Sequence, residues 1–301
     1  MWFVCSILTA LIWGAAELFY KKGARPDEKY SHLKITICVG LVMGIHAIYV
    51  LLTQDFDYNF INIIKYFPVS ALYVLSMSFS YFGMRFIEES ISDPIENTAG
   101  AITAILCFLI LGQTMSAVAL VGVILIIIGV VAIGFLEAKD GERVKKLGKK
   151  LAVIAFMMPF LYALLDASGS FMDAYYLKLE TTPLVAVTEE NIELVANTSY
   201  ELTFAIVALV LAIFVKFKKE KIDILHQRDK LLAAVLETAG QFTYVFAMGG
   251  SAIIAAPIIS SVCIVSVVLS RIFLKEKLTK KQYAAIATVI LGILVLSVTD
   301  I

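Results

Sequence analysis

Charge is scarce in this sequence. Asp, Glu, Lys and Arg make up 17% of its 301 residues, where a soluble domain carries about 25%. So few charges cannot clothe a surface that faces water on every side. Cysteine is rarer still, with four residues. Cys5, Cys38, Cys107 and Cys263 each lie inside an apolar run, without a CxxC pair or a metal-like spacing. That excludes a disulfide framework and a cysteine zinc site, and leaves four small buried hydrophobes. Walker A, HExxH, GxSxG and GxGxxG patterns are all missing, so the sequence carries no signature of ATP hydrolysis or of those catalytic classes. Neither does any apolar run hold a nucleophile and a base at helical spacing. No enzyme, cofactor or metal is expected. A basic, aromatic surface of the kind that holds nucleic acid is missing as well.

What fills the chain instead is hydrocarbon. Hydrophobic residues make up 60% and the mean hydropathy is +0.89. About 20 apolar residues carry a helix across a bilayer. Ten such runs are predicted, at roughly 2–20, 35–53, 66–86, 94–112, 115–136, 151–172, 198–216, 231–249, 252–273 and 281–299. A barrel would show period-two alternation. Runs such as VALVGVILIIIGVVAIGF (Val118–Phe135) are apolar all round, so the predicted fold class is an all-α integral membrane protein. The opening run, MWFVCSILTALIWGAAELFY, has no basic residue before it and no small-residue break after it. It reads as a retained first span rather than a signal peptide. The longest connection, about 173–197, carries Asp173, Glu180, Glu189, Glu190 and Glu193. It reads as a solvated acidic loop, with room for a short surface helix.

The chain repeats itself. With an offset of 163 positions, Pro94 falls on Pro257, Ile95 on Ile258, Leu106 on Leu269, Leu111 on Leu274, Ile127 on Ile290 and Gly129 on Gly292. Upstream, Phe79 falls on Phe242 and Tyr81 on Tyr244, with no gap needed. With another offset, WGAAE (Trp13–Glu17) lies over YALLD (Tyr162–Asp166), which pairs Glu17 with Asp166. This reads as a five-plus-five duplication: one repeat over 1–137, a basic linker over 138–150 and a second repeat over 151–301. An odd number of spans per repeat turns the second copy over in the membrane, the inverted-repeat architecture of many secondary transporters.

These residues resemble a family. LIWGAAELFYKKG in the first span is similar to the opening of EamA-type members of the drug/metabolite transporter superfamily. APIISSVCIVSVVLSRIFLKEKLTKKQYAAIATVILGILVLSV resembles the family's closing hairpin, with a Pro starting span 9 and the turn LKEKLT after it. Spans 4–5 carry a weaker version, with Gln113 where Glu276 stands. The resemblance implies a ten-helix carrier whose central cavity is lined by spans 1, 3, 4, 6, 8 and 9. It also implies cargo among amino acids, sugars, nucleotide-sugars, choline-like cations and other small metabolites.

Charge placement bears on orientation. Twenty-three of the 25 Lys and Arg fall in the loops 1–2, 3–4, 5–6, 7–8 and 9–10, leaving only Lys65 and Lys178 for the other face. The positive-inside rule places those loops in the cytoplasm and both termini outside. The family's common pattern places both termini inside.

Ionisable groups within spans are costly and face a cavity, a partner or water. Glu237 lies about two turns into span 8, with Gln241 at i+4 and Tyr244 at i+7 on one stripe. Asp166 has no base within a turn. Glu17 lies one turn from Lys21, so a local ion pair competes with a cavity role. Glu96 follows Pro94 at the start of span 4, where either the helix dipole or a cavity would account for it. Trp13, Tyr81, Tyr162 and Tyr244 lie at mid-span or at matched positions, and aromatic faces can hold a cation. Glu201 is a weaker candidate. His46 alone in span 2 fits a packing role better than a proton relay, and Arg85 reads as locally paired with Glu88 and Glu89.

The expectation is a multi-pass carrier in a cell membrane, that of a prokaryote. It would move a small polar solute, cationic or zwitterionic such as an amino acid or amine, by alternating access. Glu237, Gln241, Tyr244, Trp13, Tyr81, Glu96, Asp166 and Glu17 are the candidate solute-binding residues. Proton coupling at Glu237 or Asp166 is part of this expectation, since a carboxylate neutral in one state and ionised in another links proton to cargo. Expected partners are the solute, the lipid bilayer, protons and no nucleic acid; a homodimer is one possible assembly. The alternatives are a carrier for a neutral or anionic solute, with structural acids, and a membrane protein that transports nothing.

Overall fold

The computed structural model describes residues 1–25, 27–86, 92, 95–137, 149–220, 222, 227–273 and 279–299. Among them lie ten helices of eleven residues or more and no strand. They are α1 (Trp2–Gly23), α2 (Ser31–Thr53), α3 (Ile61–Gly83), α4 (Ala99–Leu109) and α5 (Ala117–Glu137). After these come α6 (Lys149–Tyr176), α7 (Ile192–Phe217), α8 (Arg228–Ile259), α9 (Val262–Phe273) and α10 (Lys280–Thr299). Among the described residues, six segments are long and apolar enough to cross a membrane: α1, α2, α3, Val153–Tyr176, α7 and α8. Ala99–Leu109 and Ala117–Ala132 are shorter apolar segments.

Two of the predicted spans are interrupted. The run expected over 94–112 is a regular helix only from Ala99 to Leu109, with a turn at 97–98 before it. The run expected over 252–273 starts inside α8, stops at Ile259, turns at 260–261 and resumes as α9. α8 also kinks upstream of that break. Gly249 and Gly250 lower helix propensity by about 1 kcal/mol each relative to Ala, and Ser251 next to them leaves helical geometry at φ −152°, ψ 80°. Pro257 then removes an N–H from the ladder just before the break.

Lipid offers no hydrophobic drive for one helix to join another, so close packing and polar contacts do that work. Glycines mark where backbones meet. A Cβ on Gly40 would lie 2.2 Å from the Phe204 carbonyl oxygen, which sets the crossing of α2 and α7. Gly122 and Gly292 approach reciprocally, each Cβ position within 3.0 Å of the other's carbonyl oxygen, which joins α5 to α10. α1 packs most extensively on α8 and α3 on α6, each across the chain's midpoint.

The connection expected over 173–197 is shorter, running from 177 to 191 in turns without a helix. It folds back onto the start of α3. Asn62 donates its amide to the Val185 carbonyl at 3.0 Å and accepts from the Val185 N–H at 2.9 Å. Lys65 donates to the Pro183 carbonyl at 2.7 Å. Asp173 and Glu193, assigned to this loop from the sequence, belong to α6 and α7 instead, and Asp173 is buried.

Candidate functional site

One cavity of about 120 Å³ opens among α1, α3, α6 and α8, bordered by the starts of α4 and α9. That is room for a small solute or several waters, since a single water needs about 10–15 Å³ on this measure. Its wall is built by helical spacing. Trp13, Glu17 and Tyr20 stand at i, i+4 and i+7 on α1. Tyr162, Asp166 and Ser170 stand at i, i+4 and i+8 on α6. Glu237, Gln241 and Tyr244 stand at i, i+4 and i+7 on α8. Each set makes one stripe facing inward.

All eight residues singled out from the sequence lie on this wall: Trp13, Glu17, Tyr81, Glu96, Asp166, Glu237, Gln241 and Tyr244. Four of them are carboxylates. Lining residues among the described ones include no Lys, Arg or His, but seven Trp and Tyr. Glu237 is 7% exposed and accepts a hydrogen bond from the Tyr20 hydroxyl at 3.2 Å. Its backbone carbonyl accepts from Trp13 Nε1 at 3.2 Å. The Trp13 ring stacks on Tyr244 with centroids 5.2 Å apart, and Tyr20 meets Tyr81 at 4.8 Å. Glu96 accepts from Ser80 at 2.9 Å across the α3–α4 junction. The site therefore gathers carboxyl groups framed by π faces, and an ionised carboxylate and a π face both attract cations.

Tyr20, Tyr73, Ser170 and Tyr200, which were not among the candidates expected from the sequence, also line the cavity. Tyr20 could have been found, because it continues the Trp13–Glu17 stripe. Tyr200 could not, because α7 had no place in the expected wall. Other candidates lie elsewhere. Glu201 is fully buried beside His46, whose Nδ1 stands 2.8 Å from both its carboxylate oxygens. Neither residue lines the cavity, and the packing role expected for His46 becomes a specific partnership. Arg85 does not line the cavity either. It reaches His32 Nδ1 at 3.3 Å and lies over the Phe86 ring at 4.9 Å. Glu88 and Glu89, its expected partners, lie outside the described residues.

At one end of α1 an ion cluster closes the packing. Glu28 receives Lys34 at 2.6 Å and Lys230 at 2.7 Å. Burial resists the charge on Glu28, yet the hydrogen bonds from Lys230 and Lys34 outweigh it and hold the carboxyl down at about 2.

The sequence matches the EamA-like transporter family over residues 1–135 and 181–298. The chain belongs to this family. An uncharacterized protein of Methanocaldococcus jannaschii is 33% identical to this EamA-family chain over 99 residues, which is 32% of the chain and 72% of that protein. A solved crystal structure superposes with a TM-score of 0.70 at 13% identity, covering 99% of this chain and 96% of the other. At that identity the likeness speaks for the fold alone. Family and composition together make this a multi-pass membrane protein of the drug/metabolite transporter type.

Proposed function

We propose that this EamA-family chain is a secondary carrier for a small cationic or zwitterionic solute, such as an amine or an amino acid. One observation carries the reading: Glu17, Glu96, Asp166 and Glu237 share a cavity walled by Trp and Tyr, with no basic side chain among its described lining residues. Four carboxylates gathered in a low-dielectric space call for protons or a cation to balance them. Proton exchange at Glu237 and Asp166 would then couple cargo to the proton gradient. The plasma membrane of a prokaryote is the setting this reading implies.

Alternating access needs two halves that can rock about the site, and an inverted repeat supplies them. Several features support ten spans arranged as five plus five. α4 and α9 start 163 positions apart, at Ala99 and Val262, and so do α5 and α10, at Ala117 and Lys280. The turns before α4 and α9, at 97–98 and 260–261, obey the same offset. The packing of α1 on α8 is answered by that of α6 on α3, as exchange of the two halves requires.

The test is binding followed by flux. Purified protein is screened by thermal shift against choline, lysine, glucose and uridine monophosphate, because a bound solute raises the melting temperature by mass action. Uptake of the stabilising solute into proteoliposomes is then measured under an imposed pH gradient. Stabilisation by choline or lysine and pH-driven uptake support the reading. Stabilisation only by glucose or the nucleotide would overturn it in favour of a neutral or anionic cargo.

A further inference from the structure

Behind the cavity wall stands a carboxylate that the proposed mechanism leaves unused. Asp173 is 1% exposed, although α6 ends only three residues later at Tyr176. Leu184 of the 177–191 connection is buried in the same apolar cluster as Ala174, the residue after Asp173, and that connection is pinned to α3 through Asn62 and Lys65. Tyr66 donates to one Asp173 oxygen, and Tyr73 donates to the other at 3.0 Å. The Tyr73 oxygen lies 2.5 Å from the Tyr244 hydroxyl and 3.0 Å from Ser170 Oγ. Tyr73, Ser170 and Tyr244 line the cavity; Tyr66 and Asp173 do not. A continuous chain of hydroxyls therefore runs from the cavity to a carboxylate one turn before the 177–191 connection.

The geometry points to Asp173 as a further proton-binding site of the carrier, wired to the cavity through Tyr73, Ser170 and Tyr244. The titratable groups facing it are Tyr66 and Tyr73 of α3, Tyr244 of α8, Tyr200 of α7 and, two turns back on α6, Asp166. No ion pair to Asp173 is found among the described residues. Tyr244 donates to Ser170 Oγ at 2.9 Å, which leaves Ser170 to donate to the Tyr73 oxygen and Tyr73 to Asp173, so the hydroxyls are aligned toward the carboxylate. Transfer along them conserves every proton. Tyr73 gives its proton to Asp173 and takes one from Ser170, Ser170 takes one from Tyr244, and Tyr244 is replenished from the cavity where Glu237 and Asp166 stand. The reverse passage discharges Asp173. An isolated buried acid would be costly and would serve no transport step; an acid at the end of a hydroxyl chain can store the proton that the solute displaces.

This inference rests on the carrier reading for its purpose, but not for its first test. Infrared difference spectra of the full chain in liposomes, recorded across a pH step without solute, report protonated carboxyl groups directly. The wild type should show a carboxyl C=O band that is missing in Asp173→Asn and shifted in Tyr73→Phe, which removes one of the two donors to Asp173 and leaves Tyr66 in place. Spectra of Asp173→Asn identical to wild type would overturn the proposal. If that variant does not fold, an unshifted spectrum in Tyr73→Phe overturns it equally. The second test uses radiolabelled choline. Asp173→Asn, whose side chain lies off the cavity wall, should lose pH-driven uptake while keeping choline counterflow, which needs no net proton movement; unchanged pH-driven uptake would overturn the proposed role. Absence of choline flux in the wild type counts against the carrier reading alone and leaves the infrared result standing.

Discussion

Nδ1 of His46 lies 2.8 Å from both carboxylate oxygens of Glu201, a residue 155 positions further along the chain. Asn197, one turn before Glu201, donates to the same carboxylate at 3.0 Å. The pair ties α2 to α7 close to where Gly40 meets the Phe204 backbone. Replacing His46 with Ala strands the fully buried Glu201 with Asn197 alone. A buried polar group deprived of its partner costs about 1–3 kcal/mol, more for a charged one. His46→Ala should therefore lower the melting temperature of the purified protein more than Glu201→Gln, which keeps an acceptor and removes the charge. Equal melting temperatures for wild type and His46→Ala would show that the pair contributes nothing.

Glu28 makes stability depend on pH in a defined direction. Its carboxyl sits at about 2 in the folded protein against 4.5 for an ordinary Glu. A group whose folded value is depressed stabilises fully above the unfolded value and loses that stabilisation as pH falls through the folded one. The contribution should be complete above about pH 4.5 and fade between 4.5 and 2. Glu28→Gln should abolish that slope in melting scans. It should also destabilise at neutral pH by about 3 kcal/mol, because it leaves Lys230, 1% exposed, without its carboxylate.

Gly100 has no room for a side chain. A Cβ there would stand 2.0 Å from Ser260 Oγ and 2.5 Å from the Ala256 carbonyl oxygen. The serine can rotate away, but the backbone oxygen cannot. Gly100→Ala should push the start of α4 off the break between α8 and α9, at a cost of about 1–3 kcal/mol. Since both elements border the cavity, solute affinity should fall as well. Retention of both the wild-type melting temperature and affinity would disprove the contact.

Neutralising Glu237 and Asp166 separates binding from coupling. Glu237→Gln preserves an acceptor for the Tyr20 hydroxyl, so folding should survive. In proteoliposomes the single changes should weaken pH-driven uptake, and the double change Glu237→Gln with Asp166→Asn should abolish it. Undiminished uptake in the double variant would remove these two acids from the mechanism.

Trp13 stacked on Tyr244 is the aromatic floor of the site. Trp13→Ala should reduce affinity for choline more than Trp13→Phe, since a cation is held by the π face rather than by the indole N–H. Thermal-shift titration with choline measures this. Equal losses in both variants would assign the contribution to the N–H bond with Glu237 instead.

Much was legible before any coordinates. Sparse charge and long apolar runs determined a helical membrane protein, because only hydrogen-bonded helices suit runs that are apolar all round in lipid. The spacing of Glu237, Gln241 and Tyr244 marked an inward stripe, because helical geometry alone puts i, i+4 and i+7 on one face. The closely spaced acids and aromatics could be picked out one by one for the same reason.

Tertiary structure decided what lies across from what. That Asp173 is buried under Tyr66 and Tyr73 rather than solvated in a loop depends on α3 packing against α6, over 100 residues away in sequence. His46 found Glu201 only once α2 crossed α7, and hydropathy showed neither the turn at 97–98 nor the one at 260–261, where Gly100 lets the start of α4 pack against the Ala256 backbone. Apolar content reports the solvent a segment prefers; which polar groups meet inside it is set by long-range contacts, and those are what turn scattered acids into a site.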